Sequence, residues 1–296
     1  MARFPGIYVA VITPFKPDSS IDFPRLREHI DWLISEGMHG LVPTGSCGEY
    51  AALTDQERAQ VVETIIEVAD GRVPVVVGAA APSTAKALGW IQHAKEAGAE
   101  GVMLLPPINY RPNRREVIAW YEALSEGGLP IIAYNNPFDT SSDLTPDLLA
   151  EMKHIPNLVA VKEFSGDVRR ISAILDETNL EVLAGTDDLA LESFLAGATG
   201  WIAGLTNVLP RESAVLYELA MAGQLEEAWP LYRDLLPFFR YDATPRFVQA
   251  IKYAFELAGK PVGETRAPRL PLTEAEKAEV AATYQRARQF SVTGVQ

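Results

Sequence analysis

Three kinds of side chain stand where this 296-residue chain can do chemistry: a lysine, a tyrosine and small hydroxyls. Lys162 closes the apolar run 158–161, which follows a Pro-Asn turn signal and reads as a buried strand. A lysine at the point where a buried strand emerges can hold its amine in a partly desolvated pocket. Desolvation disfavours the ammonium ion and lowers the pKa, which is the condition a Schiff-base lysine needs. Taken alone, the bland alternative is commoner: a strand-end lysine whose amine reaches water. Tyr134 ends the run 130–133, where a tyrosine is either half-buried packing or a proton carrier. Thr44 and Ser46 follow the run 40–43. Their hydroxyls can relay protons or hold a carboxylate, and Gly45 and Gly48 let backbone N–H groups approach a small anion. Cys47 invites a nucleophile reading, but a lone cysteine is usually an inert small hydrophobe.

The elements that must position these residues repeat along the chain. Short, nearly all-apolar runs at 7–12, 40–43, 73–77, 101–105, 130–134, 158–162, 181–184 and 200–203 read as strands. Helical patterns separate them. Asp22 is an N-cap ahead of Leu26, Ile30, Leu33 and Ile34, and Thr54-Asp-Gln-Glu57 is a capping box ahead of Val61, Val62, Ile65 and Ile66. Ser83 caps the next helix, another covers about 113–125, Thr145-Pro146 starts one by the N-cap and Pro-at-N1 rule, and further helices cover 168–175 and 189–195. All-apolar strands alternating with helices mean a parallel sheet covered by helices. Eight such units predict a (β/α)8 TIM barrel over residues 1–223. An open doubly wound sheet is the alternative, but it normally shows a glycine fingerprint after its first strand, where Thr13-Pro14-Phe15 stand here. Residues 224–296 carry no strands. Helices at 225–239, 244–258 and 273–288 predict a C-terminal helical extension packed on the barrel, as a cap or an assembly element.

Bulk composition excludes several function classes. A formal net charge of −13 argues against nucleic acid or an anionic membrane as partner, though a local pocket can still oppose that sign for a small anionic substrate. One cysteine rules out an internal disulfide framework and a multi-cysteine metal site. The run 7–12 lacks a basic leader and a small-residue cleavage site, so it reads as a first strand and not a signal peptide. No apolar stretch is long enough to span a bilayer, and the expectation is a soluble cytoplasmic protein. His29, His39, His93 and His154 fall on helices or before strands, the wrong end of a barrel for catalysis, and no His-x-His pair exists. No metal and no cofactor is expected, and the absence of a Walker loop or a Gly-rich cradle disfavours a phosphorylated substrate.

A barrel of this kind keeps its active site at the C-terminal ends of the strands. Those ends hold Thr13, residues 44–49, Gly78, residues 106–110, residues 134–137, Lys162, residues 185–188 and residues 203–207. Adjacent strands lie roughly 4.8 Å apart, so Tyr134 and Lys162 can face one pocket and supply a proton carrier and a nucleophile.

The combination Gly45-Ser-Cys-Gly-Glu49, Tyr134-Asn-Asn-Pro137 and Val161-Lys-Glu163 resembles the dihydrodipicolinate synthase / N-acetylneuraminate lyase family, over essentially the whole chain. The resemblance implies a class I mechanism on pyruvate or another small 2-oxo acid. Lys162 matches the Schiff-base lysine, Tyr134 the general acid/base and Ser46 the proton-relay hydroxyl. The Ser46-Cys47 backbone matches the substrate-carboxylate site, and Gly185 and Ile202 match pocket-lining positions. A homotetramer is implied as well. Departures from the pattern bear on the substrate. Asp139 stands where the synthases carry an arginine that clamps the aldehyde substrate's carboxylate, and an aspartate repels that group. Cys47 replaces the second hydroxyl of the usual pair with a much weaker hydrogen-bonding group. The relay tyrosine normally lent to a neighbouring subunit is either Tyr110 in a shifted loop or missing. These departures favour a catabolic lyase: an aldolase or dehydratase of 2-keto-3-deoxy sugar acids, or a 1-pyrroline-4-hydroxy-2-carboxylate deaminase. The alternatives are 4-hydroxy-tetrahydrodipicolinate synthase itself and, from another class, a non-catalytic barrel that only binds a keto acid.

Overall fold

The apolar runs become strands buried along nearly their whole length. A computed structural model describes residues 2–289 and places eight of them in chain order. They are β1 (Gly6–Ala10), β2 (Gly40–Val42), β3 (Val76–Gly78), β4 (Gly101–Leu104), β5 (Ile131–Asn135), β6 (Leu158–Glu163), β7 (Glu181–Ala184) and β8 (Gly200–Ala203). Each is followed by a helix: α1 (Phe23–Ser35), α2 (Asp55–Ala69), α3 (Thr84–Ala97), α4 (Arg114–Ser125), α5 (Pro146–Met152), α6 (Arg169–Glu177), α7 (Ala190–Leu195) and α8 (Pro210–Met221). All strand pairs are parallel, in the order β2-β1-β8-β7-β6-β5-β4-β3, and a parallel bridge between Leu41 and Val75 joins the two ends. The sheet is therefore a (β/α)8 barrel, as the alternation predicts. Fully buried strand leucines such as Leu41 and Leu183 each contribute roughly 1.5–3 kcal/mol of burial free energy.

Local capping chemistry sets where the helices begin. Asp22 accepts from the Arg25 backbone N–H at 3.1 Å, and Thr54 with Glu57 forms a reciprocal capping box. Thr145 behaves differently from the expected cap: its hydroxyl donates to Asp147 Oδ1 at 2.5 Å, and Pro146 alone marks the start of α5. The segment 187–189 is a separate 3₁₀ turn ahead of α7.

After α8 come α9 (Leu225–Phe239), a 3₁₀ turn (Arg240–Ala243), α10 (Phe247–Leu257) and α11 (Glu274–Arg288). Helix α10 starts three residues later than periodicity suggests, because Thr244 precedes Pro245 and is held extended at φ −116°, ψ 155°. The turn between α9 and α10 packs beside the one at 187–189, which carries the C-terminal segment onto the mouth of the barrel. Residues 290–296 of the expected extension lie outside the described residues. No helix among the described residues is long and apolar enough to cross a membrane.

Candidate functional site

Strand register brings the lysine and the tyrosine together. Tyr134 on β5 and Lys162 on β6 are direct partners across the parallel ladder, so both side chains leave the sheet on the same side. The Lys162 Nζ lies 4.3 Å from the centroid of the Tyr134 ring and 5.5 Å from that of Phe164. Lys162 is only 6 % exposed, and among the described residues no carboxylate comes within ion-pair distance of its amine. Burial pushes the amine's pKa down, and the more distant Asp242 and Asp187 oppose that shift only in part. The same burial holds the Tyr134 phenol well above its ordinary pKa, so it is protonated and able to donate. Its oxygen accepts a hydrogen bond from Asn136 Nδ2 at 3.0 Å.

The loop after β5 is pinned from both sides. Asn135 Nδ2 donates to the two oxygens of Glu163 at 3.2 and 3.1 Å, and Asn135 Oδ1 accepts from the Leu144 N–H at 2.9 Å. Beyond it, Arg170 holds Asp143 through two contacts of 2.6 and 2.9 Å. Asn136 also donates to Asp139 Oδ2 at 2.9 Å, which fixes the Asp139 carboxylate on the wall of the cavity.

That cavity has a volume of about 740 Å³ and sits at the C-terminal ends of the strands. Lys162, Tyr134, Ser46, Cys47 and Asp139 all line it. The remaining candidates do not. Thr44, at φ 56°, turns its hydroxyl away to donate to the Gly78 carbonyl at 2.9 Å, so that group is spent on joining β2 to β3. Gly185 and Ile202 are packed behind the wall; a Cβ on Gly185 would lie 2.3 Å from the Glu163 carbonyl, a close strand approach. Tyr110 is 53 % exposed and turned outside the cavity. Gly48 is required by packing and not by a bound anion, since a Cβ there would meet the Val11 carbonyl at 2.8 Å. Cys47 is 3 % exposed, accepts weakly from Asn207 Nδ2 at 3.8 Å, and burial raises its thiol pKa far above the ordinary value. It is a neutral small side chain of the wall, not a thiolate. His29 departs from the expectation for helix histidines. Its Nε2 lies 2.9 Å from Asn207 Oδ1 behind the β8 end, where burial lowers its pKa to about 4 and keeps it neutral.

Several residues of the site are invisible to local pattern. Asp187 after β7 is fully buried behind the wall, at a strand end that the barrel geometry singles out, yet nothing in its neighbourhood marks it as special. Asp242, Thr244, Phe247, Arg266 and Arg269 come from the C-terminal segment and line the cavity. Arg266 donates to both oxygens of Glu57, at 2.9 and 2.5 Å, and its backbone N–H donates to Glu49. Glu49 in turn pairs with Lys252 at 2.8 Å, so the loop 44–49 is tied to α10 beneath the cavity.

The Dihydrodipicolinate synthetase family model matches residues 3–287. A 4-hydroxy-tetrahydrodipicolinate synthase of Methanoculleus marisnigri is 40% identical over 93% of this chain and 96% of its own length. One of Methanospirillum hungatei is 38% identical over 93% and 95%. Among solved structures, the 4-hydroxy-tetrahydrodipicolinate synthase of Methylacidiphilum fumariolicum superposes with a TM-score of 0.92 at 28% identity, covering 97% of both chains. A chloride-inhibited dihydrodipicolinate synthase of Acinetobacter baumannii, complexed with pyruvate, gives 0.91 at 30% identity over 96% of this chain and 99% of its own. A match across nearly the whole barrel, around a desolvated lysine, places the chain in the dihydrodipicolinate synthetase family, and it is accordingly a lyase that works through a lysine Schiff base.

Proposed function

We propose that Lys162 forms the imine, with pyruvate or another small 2-oxo acid as its partner, and that Tyr134 and Ser46 handle the protons. One observation carries this reading: a desolvated amine, without an ion-pair partner among the described residues, stands over the ring of its register neighbour and opens on the cavity. The neutral amine attacks the keto carbon, and the carbinolamine loses water. The resulting iminium draws electrons from the adjacent carbon, so a bond beside it can form or break. Tyr134 donates to the departing oxygen and Ser46 carries protons between Tyr134 and the rest of the cavity. The Ser46-Cys47 backbone faces the substrate carboxylate. The same reading includes a homotetramer working in the cytoplasm.

Incubation with pyruvate and borohydride, followed by intact mass, tests it. Wild type gains one reduced pyruvyl group and Lys162→Ala gains none. An unmodified wild type, or an adduct on Lys162→Ala, overturns the assignment.

Two finer readings are favoured by different observations. The names of the relatives favour condensation of pyruvate with aspartate semialdehyde, the 4-hydroxy-tetrahydrodipicolinate synthase reaction, and the weight of the comparisons is on that side. Asp139 favours the catabolic readings, cleavage or dehydration of a 2-keto-3-deoxy sugar acid or deamination of a hydroxypyrroline carboxylate. Its carboxylate faces the cavity, and Arg266 is already held by Glu57. On that argument turnover with aspartate semialdehyde is low and rises in Asp139→Arg, measured in a coupled assay. Robust wild-type turnover that Asp139→Arg does not improve establishes the synthase reading instead.

A further inference from the structure

Three carboxylates act on Lys162 from beyond ion-pair distance, Asp242 most strongly, then Asp187 and, least, Asp139, and they are not equivalent. Asp187 spends both oxygens inward. Its Oδ1 accepts from Trp201 Nε1 at 2.9 Å, and its Oδ2 accepts from the Gly204 and Leu205 backbone N–H groups at 3.1 and 2.7 Å. Asp242 hangs from the 3₁₀ turn between α9 and α10. Its Oδ2 accepts from the Asp187 N–H at 3.1 Å, while among the described residues nothing donates to its Oδ1. That oxygen lies beside Gly204, on the wall that Asp242 shares with Lys162, Tyr134 and Ser46.

We infer that Asp242, delivered by the C-terminal segment, is the counter-charge of the iminium on Lys162, an electrostatic positioning residue for the proposed reaction. The inference rests on the reading of Lys162 as the imine-forming lysine. When the imine forms, the amine loses a proton and bonds to the keto carbon. The carbonyl oxygen leaves as water with that proton and one more from solution, and a cation remains. A buried cation with no compensating charge is costly. Tyr134 and Cys47 are both raised by burial and stay neutral, so neither supplies that charge. Asp187 is fixed inward by its donors, and burial, with Asp242 beside it, holds its carboxyl well above the ordinary range, so it does not supply that charge either. Asp242 is free to respond: burial raises its carboxyl to about 6, and Lys162 is the charge that most opposes this. The other charges around it do not take over the role. Asp139 acts on Lys162 least of the three, and its Oδ2 accepts from Asn136; it and Asp188 are further carboxylates that raise Asp242. Of the nearby basic side chains, Arg240 on the same turn acts on Asp188, and Arg246 at the start of α10 is paired with Glu276 and Glu279 on α11. A cation on Lys162 therefore holds Asp242 ionised, and by reciprocity an ionised Asp242 favours the iminium.

The test is borohydride trapping at graded pyruvate concentrations from about pH 5 to about pH 8, where Asp242 changes charge, on wild type, Asp242→Asn and Asp242→Glu, with intact mass as readout. Asp242→Asn is expected to need on the order of tenfold more pyruvate for half-trapping at neutral pH. It also loses the part of the acid limb that wild type shows near pH 6. Asp242→Glu restores most of both. Unchanged half-trapping and an unchanged limb in Asp242→Asn overturn the inference. So does a uniform loss of adduct that tracks loss of folded protein by thermal melt and is not reversed in Asp242→Glu. Failure of the Lys162 reading is separately visible, because wild type then gives no adduct at any pH.

Discussion

Two lysines of this barrel are buried to the same degree and differ in almost everything else. Lys162 is 6 % exposed and Lys252 is 5 % exposed. Each amine stands over an aromatic face, Lys162 at 4.3 Å from Tyr134 and Lys252 at 4.2 Å from Phe15. Burial lowers the pKa of both. Lys252, however, is saturated: it pairs with Glu49 at 2.8 Å and donates to the Glu264 carbonyl at 3.1 Å. Among the described residues Lys162 has neither kind of partner, and it opens on the cavity. Desolvation alone therefore does not make a reactive amine. What separates a clamp from a nucleophile is whether the buried charge has been given a partner.

Exchanging the properties of the two sites sharpens the contrast. Replacing Lys162 has the largest expected effect on activity, a loss on the order of a thousandfold or more in kcat/KM. Lys162→Met abolishes the pyruvate adduct yet melts no lower than wild type, since it removes an unpartnered buried amine. The sign with pH is definite. A lysine whose folded pKa is depressed binds fewer protons in the native state than in the unfolded one, so wild-type stability gains on that of Lys162→Met as pH rises from the folded pKa towards about 10.4. Thermal melts across that range that stay parallel contradict the depressed pKa.

Lys252 predicts the opposite pattern. Lys252→Met leaves the Glu49 carboxylate buried and unpaired, and costs about 3–5 kcal/mol in urea unfolding. The folded fraction still forms the adduct on Lys162. Glu49→Gln combined with Lys252→Met recovers part of the loss, because the stranded charge is gone. If Lys252→Met unfolds like wild type, the clamp between the loop 44–49 and α10 is not structural.

The smallest of these effects comes from the ring beneath the amine. Tyr134→Phe gives Lys162 the same kind of platform that Lys252 has, keeping the aromatic face and deleting the hydroxyl. Turnover is expected to fall about 10²–10³-fold through the lost proton carrier. Trapping of pre-formed imine at saturating pyruvate, read by mass after long incubation, stays close to wild type. Loss of the adduct itself would mean that Tyr134 holds Lys162 in place and does no proton transfer.

Much of this site is written locally. Lys162 and Tyr134 each end an apolar run, and once the alternation of runs and helices dictates a parallel barrel, both ends lie on the catalytic face. Ser46 and Asp139 follow from the loops after the same kind of strand. Thr44 shows the limit of that logic. It stands at a strand end beside Ser46, and a left-handed backbone turns its hydroxyl to the Gly78 carbonyl. Which way a loop side chain points depends on φ at one residue, and no periodicity encodes that.

The sequence by itself determined the element order, the barrel and the strand ends from which Lys162 and Tyr134 project, because hydrophobic period and capping are properties of neighbouring residues. Only the tertiary structure decided that Glu49 takes Lys252 as its partner, that Arg266 reaches Glu57, and that Asp242 reaches the cavity wall. Those arrivals come from three places in the C-terminal segment, the turn before α10, α10 itself and the connection after it, and none carries a chemical motif. The physical reason is that charge compensation in a buried site is a sum over everything packed around it, and the chain brings those groups from far along its length.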